Sequence, residues 1–284
     1  MSFIHTSKEA LIRTFQWRLL LLWALALALP TLLTSLPIFI SLNQALGNSL
    51  SGAKLLDGMD LAVLVDVMSG MTAQGYSPAS GLSGFIVFLL LLPWLGGTLV
   101  AVARSDRPLY FGELALAGWR EYGRMLRLWI WALVPLAIAM VVGAGLMKWA
   151  SSHAAKQVLE ADADLGRKLA LGATLLLMLF VGATLDAARA RFARELHRRS
   201  AVKAWWAGFK DVLCRPRWWL IYLLITIIGL VVAALFAWAR VQLAPTAGWS
   251  FTVDLLLAQC VTMALVWARA ARVVAFADEG LLVR

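Results

Sequence analysis

Asp186 is the residue that first invites a chemical reading. It lies in the run GATLDAAR, Gly182–Arg189, with apolar residues before it. An ionisable group inside an apolar helix is costly and by default marks function. A carboxylate there could bind a cation or relay a proton. A structural role competes: an i,i+3 ion pair with Arg189 near a hydrated interface. The same run is one of three that end alike, with GTLVAVAR at Gly97–Arg104 and TMALVWAR at Thr262–Arg269. The three terminal arginines are 85 and 80 residues apart. If the segments are copies, Arg104, Arg189 and Arg269 close equivalent helices. Converging cations repel unless they share anions. Asp186 could be one such anion and a lipid phosphate another. Arg104, Arg189, Arg269 and Asp186 therefore form a candidate anion or lipid-headgroup site. The competing reading has each arginine snorkel separately to the interface. Ala101 and Val266 stand at the positions matching Asp186, so the acid is not part of the repeated unit. A further acid, Asp254, can reach Arg240 and reads as a structural pair.

Other chemistry finds little support. His5, His153 and His197 are scattered, and there is no HExxH or Cys/His cluster. There is no Walker A or GxGxxG pattern. GLSGF at Gly81–Phe85 does not satisfy GxSxG, and it opens an apolar run rather than a strand-turn-helix. Cys214 and Cys260 form no CxxC and lie in unlike segments, so a disulfide is not expected. No catalytic residue, cofactor or metal is expected.

The elements that must position these residues follow from composition. The chain has 284 residues, 62% hydrophobic and 15% charged, with mean hydropathy +0.79. A soluble domain carries roughly 25% charged residues. A water-soluble globule, a disordered chain and a coiled coil are excluded. Fourteen Trp suit a chain crossing two membrane interfaces. A helix needs about 20 apolar residues to span the hydrocarbon. Six runs qualify, at about 19–40, 82–103, 128–147, 169–188, 218–239 and 250–271. The reading is all-α: a single polytopic helix bundle over 1–284. Pro30 and Pro37 predict a kink or an early end in the first span.

Twenty of the 26 Lys and Arg fall on one side of this threading. The positive-inside rule then places both termini in the cytoplasm, with the inner face at +11 and the outer at −1. The pI near 10.2 is explained by these loops rather than by nucleic acid. The N-terminus lacks a short apolar stretch with a cleavage site, so the first span reads as retained. Each odd span follows an aromatic-and-basic segment: KEALIRTFQWR, GELALAGWREYGRMLR and SAVKAWWAGFKDVLCRPRWW. These predict interfacial helices over Leu114–Met125 and Ala201–Leu213, with Trp119, Trp205 and Trp206 at headgroup depth. The unit of interfacial helix, span, outer loop and returning span occurs three times. The Ala-rich even spans should pack closely while the odd spans face lipid more, and Gly143 and Gly145 in the third span and Gly172 and Gly182 in the fourth support close helix packing. Asp57, Asp60 and Asp66 recur among apolar residues between the first two spans and predict a short amphipathic helix on the outer interface or packed over the bundle. Pro245 and Gly248 predict the turn between the last two spans.

Three hairpins with basic ends are also the layout of mitochondrial carriers. Their proline, acid and base signature is absent after Pro30 and Pro135, which excludes that family. RPLYFGELALAGWREYGR after the second span and ARARFARELHRRSAVKAWWAGF after the fourth carry a different resemblance. The chain resembles uncharacterised six-span inner-membrane proteins of bacteria, including the membrane domain fused to some glycerophosphodiester phosphodiesterases. The resemblance implies a bacterial inner-membrane protein. The expected function is non-enzymatic: a permease-like or accessory subunit. Its basic loops would meet anionic lipid headgroups or a cytoplasmic protein. A stand-alone transporter of a small solute or lipid is the alternative, and a membrane-embedded lipid enzyme ranks below both. Topology is testable in a background lacking Cys214 and Cys260. An impermeant thiol reagent on intact cells is expected to label Ser51→Cys and not Ser200→Cys. Labelling of Ser200→Cys alone would invert the threading.

Overall fold

The computed structural model describes residues 3–47, 65, 68–70, 72, 78–154, 160–197, 200–242 and 249–280. Eight helices carry the argument. They are α1 (Phe3–Thr14), α2 (Trp17–Gly47), α3 (Pro78–Arg104), α4 (Phe111–Ala154), α5 (Glu160–Arg194), α6 (Ala201–Cys214), α7 (Pro216–Gln242) and α8 (Trp249–Glu279). Six of them, α2, α3, α4, α5, α7 and α8, are long and apolar enough to cross a membrane. The fold is thus the expected all-α polytopic bundle. Asp57, Asp60, Asp66, Pro245 and Gly248 lie outside the described residues.

The helices run past the apolar windows that announced them. α5 continues to Arg194 and α8 to Glu279. α2 passes through both Pro30 and Pro37 to Gly47, so the early end expected there does not occur. The larger departure is α4. Leu114–Met125 is not a separate interfacial helix but the first part of one 44-residue helix. At 1.5 Å per residue it is about 66 Å long, roughly twice the hydrocarbon thickness. The reason is local: Arg124 to Trp131 contains no proline or glycine to break the turn. The other two amphipathic segments are separate. α1 stops at Thr14. α6 ends before Pro216, whose ring drives the preceding Arg215 into an extended conformation (φ −128°, ψ 95°). Pro216 then opens α7, where its missing N–H costs nothing.

The chain forms two compact parts, one of residues 22–92 and one of 1–21 with 93–284. Inside the smaller part, Gly84 lies against α2 at Pro30 and Thr34, too close for a side chain. Every residue discussed below belongs to the larger part. There α7 packs on α8, α4 on α5, α5 on α6, and α1 on α8 and α7. α6 buries Ala201, Ala204, Gly208, Asp211 and Val212, one face at helical spacing. The even spans are more buried than the odd: 50, 33 and 56% of their most apolar windows against 28, 22 and 28%. The odd spans expose residues such as Ile138, Val141 and Leu230. In a bilayer these face acyl chains, which are as apolar as they are.

Close approach between helices of the larger part depends on glycine, as at Gly97 and Gly208. A Cβ on Gly97 would lie 2.8 Å from the Gly118 carbonyl oxygen, and one on Gly208 2.9 Å from the Ala188 nitrogen. Of the glycines expected to aid packing, Gly143 meets Thr174 and Gly182 meets Tyr222, while Gly145 and Gly172 have open space. Gly97→Val or Gly208→Val should therefore lower the thermal midpoint of the detergent-solubilised chain by several degrees. Gly145→Ala and Gly172→Ala should leave it in place. Equal effects from all four would remove glycine contact as the packing device.

Candidate functional site

The basic end of the larger part is built from arginines placed around buried carboxylates. Asp186 is 3% exposed and Glu121 is 7% exposed. Neither could remain ionised among apolar helices without partners, because an uncompensated charge there loses its hydration. Asp186 accepts from Arg189 on its own helix at 2.5 Å. That is the expected i,i+3 pair. Its second oxygen accepts from Arg272 Nε of α8 at 2.9 Å. Arg272 is fixed further by donating to Thr226 Oγ1 at 3.2 Å and by lying over the Tyr222 ring at 5.0 Å. Both of those partners stand on α7. The carboxylate thus joins α5 to α8, and Arg272 extends the contact to α7.

Arg269 precedes Arg272 by one helical turn and shares its charged surroundings. Arg189, Asp186 and Arg272 are its principal electrostatic neighbours. The structure therefore brings together three of the four candidate residues, Asp186, Arg189 and Arg269. It adds Arg272, Thr226 and Tyr222.

Arg104 belongs elsewhere. It is the last residue of α3, whereas Arg189 and Arg269 lie within their helices. Its Nη1 donates to Glu121 at 2.7 Å, and its Nε and Nη2 donate to the carbonyls of Ala193 and Phe192 at 3.0 and 2.8 Å. Arg124 holds the other Glu121 oxygen at 2.7 Å and donates to the Glu195 carbonyl at 2.9 Å. These two cations satisfy the carbonyls that a helix C-terminus leaves unpaired, here at the end of α5. The three matching runs carry their arginines to different surroundings: α3 ends at Arg104, while α5 and α8 continue past Arg189 and Arg269.

Two more buried acids complete the end. Asp211 of α6 accepts from Arg191 of α5. Glu279 accepts from Thr6 of α1 at 3.0 Å and pairs with Arg217 of α7 at 2.7 Å. Arg13 of α1 reaches the Ser105 carbonyl, Asp106 and Asp278. Trp205, expected at headgroup depth, instead turns to α5 and donates to Thr184 Oγ1 at 3.1 Å. Trp119 and Trp206 are exposed.

Outside the network, Arg107 and Glu113 form an exposed two-pronged pair, and the carboxylate holds the Arg107 guanidinium above its ordinary pKa. A pocket of about 490 Å³ opens beside it, lined by Gln16, Trp17, Arg18 and Tyr110. At the far end of the last two spans, Arg240 grips both oxygens of Asp254 at 2.7 and 3.1 Å, as expected. No group of three His, Cys, Asp or Glu that could hold a metal occurs among the described residues.

The two kinds of pair should respond differently to mutation. Asp186→Asn takes the carboxylate from Arg189 and Arg272, whose side chains are 12% and 15% exposed, and should cost about 3–5 kcal/mol. Asp254→Asn breaks a solvent-screened pair and should leave unfolding unchanged. Denaturant titration of the purified chain compares them. Equal stability of the two variants would make the Asp186 pairing energetically idle. Comparison of the chain with family models, with curated proteins and with solved structures gives no match.

Proposed function

We propose that the chain is a non-enzymatic component of a bacterial inner membrane, a permease-like or accessory subunit that works with other proteins or with lipid. Both termini are then cytoplasmic, because the basic end is the end that carries them. One observation carries the reading. The buried carboxylates Glu121, Asp186, Asp211 and Glu279 are all held by arginines from neighbouring helices. A proton relay needs a carboxylate that can give up its partner and meet water. These four are committed to joining helices, which is the arrangement of a scaffold. The surface left for partners is basic and aromatic. α6 exposes Val202, Trp206 and Leu213. Lys210 lies over the Trp206 ring at 5.8 Å.

The alternative, a stand-alone transporter of a small solute or lipid, is favoured by the Asp186 cluster lying between three spans. Site-specific photo-crosslinking separates the two. A crosslinker replacing Trp206 should join the chain to a protein of one defined mass in native membranes, and a crosslinker replacing lipid-facing Val141 should not. Lipid adducts alone at both positions, together with solute uptake by vesicles holding only this chain, would replace the accessory reading with the transporter.

A further inference from the structure

The neighbourhood of Arg269 holds more positive charge than the protein itself neutralises. Arg269 stands on α8 between Ala268 and Ala270, which are 2% and 1% exposed. As a whole residue it is only half-buried. The nearby anion is Asp186, whose two oxygens already accept from Arg189 and from Arg272. Arg269 makes no hydrogen bond or ion pair with any described residue. Three guanidiniums therefore share one carboxylate, leaving two positive charges unneutralised between α5, α7 and α8. Concentrating like charge among packed helices is unfavourable unless a counter-charge enters.

The missing counter-charge has a definite chemistry. A phosphate monoester carries about 1.5 to 2 negative charges near neutral pH, which matches the excess. Guanidinium forks bind phosphate oxygens two at a time, in a geometry an ammonium cannot offer. A chloride or a single carboxylate would leave one charge unanswered. Two of the forks are held in place beforehand: Arg189 by Asp186, and Arg272 by Asp186, Thr226 and the Tyr222 ring. Arg269 keeps its donors unengaged. We propose that Arg189, Arg269 and Arg272 bind a phosphate group, carried either by a lipid headgroup or by free inorganic phosphate, with Asp186 as the residue that positions two of the three arginines. This proposal stands apart from the accessory reading, since a scaffold and a transporter could both hold such a group.

Two probes on the full chain in detergent test it and separate the sources. Equilibrium dialysis with radiolabelled inorganic phosphate reads the free ion. Native mass spectrometry after exposure to phosphatidic acid, with phosphatidylcholine as the control lipid, reads the headgroup. The wild type should take up one phosphate group by at least one route. Arg269→Gln should weaken that binding by at least about tenfold, the loss of a charge-assisted contact. Arg107→Gln, which removes an exposed arginine outside the cluster, should not change it. Retention of phosphatidic acid that free phosphate does not displace assigns the headgroup, and uptake of the free ion alone assigns phosphate. If Arg269→Gln does not fold, Arg269→Lys decides, because it keeps the charge and loses the fork. Severalfold weaker binding by Arg269→Lys then supports the site. Binding of neither probe by the wild type, or wild-type affinity in whichever Arg269 variant is read, overturns it.

Discussion

The two-sided grip on Asp186 is the interaction on which the larger part of the molecule depends. In a bilayer the apolar faces of helices have no strong preference for one another over lipid, and many registers would pack comparably. A charge removes that freedom. Asp186 can stay ionised only where Arg189 and Arg272 both reach it, so the height of α8 relative to α5 is set by that carboxylate. The other buried acids act in the same way between other elements. Glu121 ties α4 to the end of α3, Asp211 ties α6 to α5, and Glu279 ties α8 to α1 and α7. All four stand at one end. Arginine suits the task because one guanidinium can bind a carboxylate and backbone carbonyls together, as Arg104 does with Glu121, Ala193 and Phe192.

Charge can be this dense only because the backbones approach closely. Gly118 and Gly208 both face the preceding span without a side chain, and each stands three residues before a buried acid, Glu121 and Asp211. One turn of helix separates contact from charge. The glycine lets the amphipathic segment sit against the span, and the acid then falls within reach of an arginine from it. A bulkier residue at the glycine would lift the whole turn and carry the carboxylate away from its partner.

The spans were legible because hydropathy over 20 residues is a strong, local signal. Their ends were less so. Arg194 and Glu279 looked like loop residues because they are charged, yet Arg104 and Arg124 hold the last carbonyls of α5 and Glu279 pairs with Thr6 and Arg217, and both ends are helical. The continuity of α4 was missed for a related reason: a change in polarity along a sequence does not end a helix unless a breaker accompanies it. At the site, the Asp186–Arg189 pair could be read from spacing alone, being three residues apart. Arg272 could not, since it lies 86 residues from Asp186 and meets it only through helix packing. Its one sequence signal was its place a turn after Arg269. Arg104 misled because its run ends like the others, and the match of endings said nothing about where each helix stops.

That mismatch explains how a charge excess arose in one place. After α3 and after α5 the next amphipathic segment presents a buried acid, and an arginine of the preceding span binds it. In the first case the arginine is Arg104 itself. In the second it is Arg191, two residues beyond the matching position. α5 continues as a helix past Arg189, and this extra turn brings Arg191 to α6 in its stead. Arg189 is thereby released from the role its counterpart fills and turns to Asp186. α8 contributes Arg269 and Arg272 to the same spot, where one carboxylate serves all three. The other buried acids at this end, Glu121, Asp211 and Glu279, are balanced by their own arginines, while the cluster between α5 and α8 keeps its surplus. A partner shifted by two residues, Arg191 binding Asp211, is enough to leave Arg189 with Asp186 beside the arginines of α8.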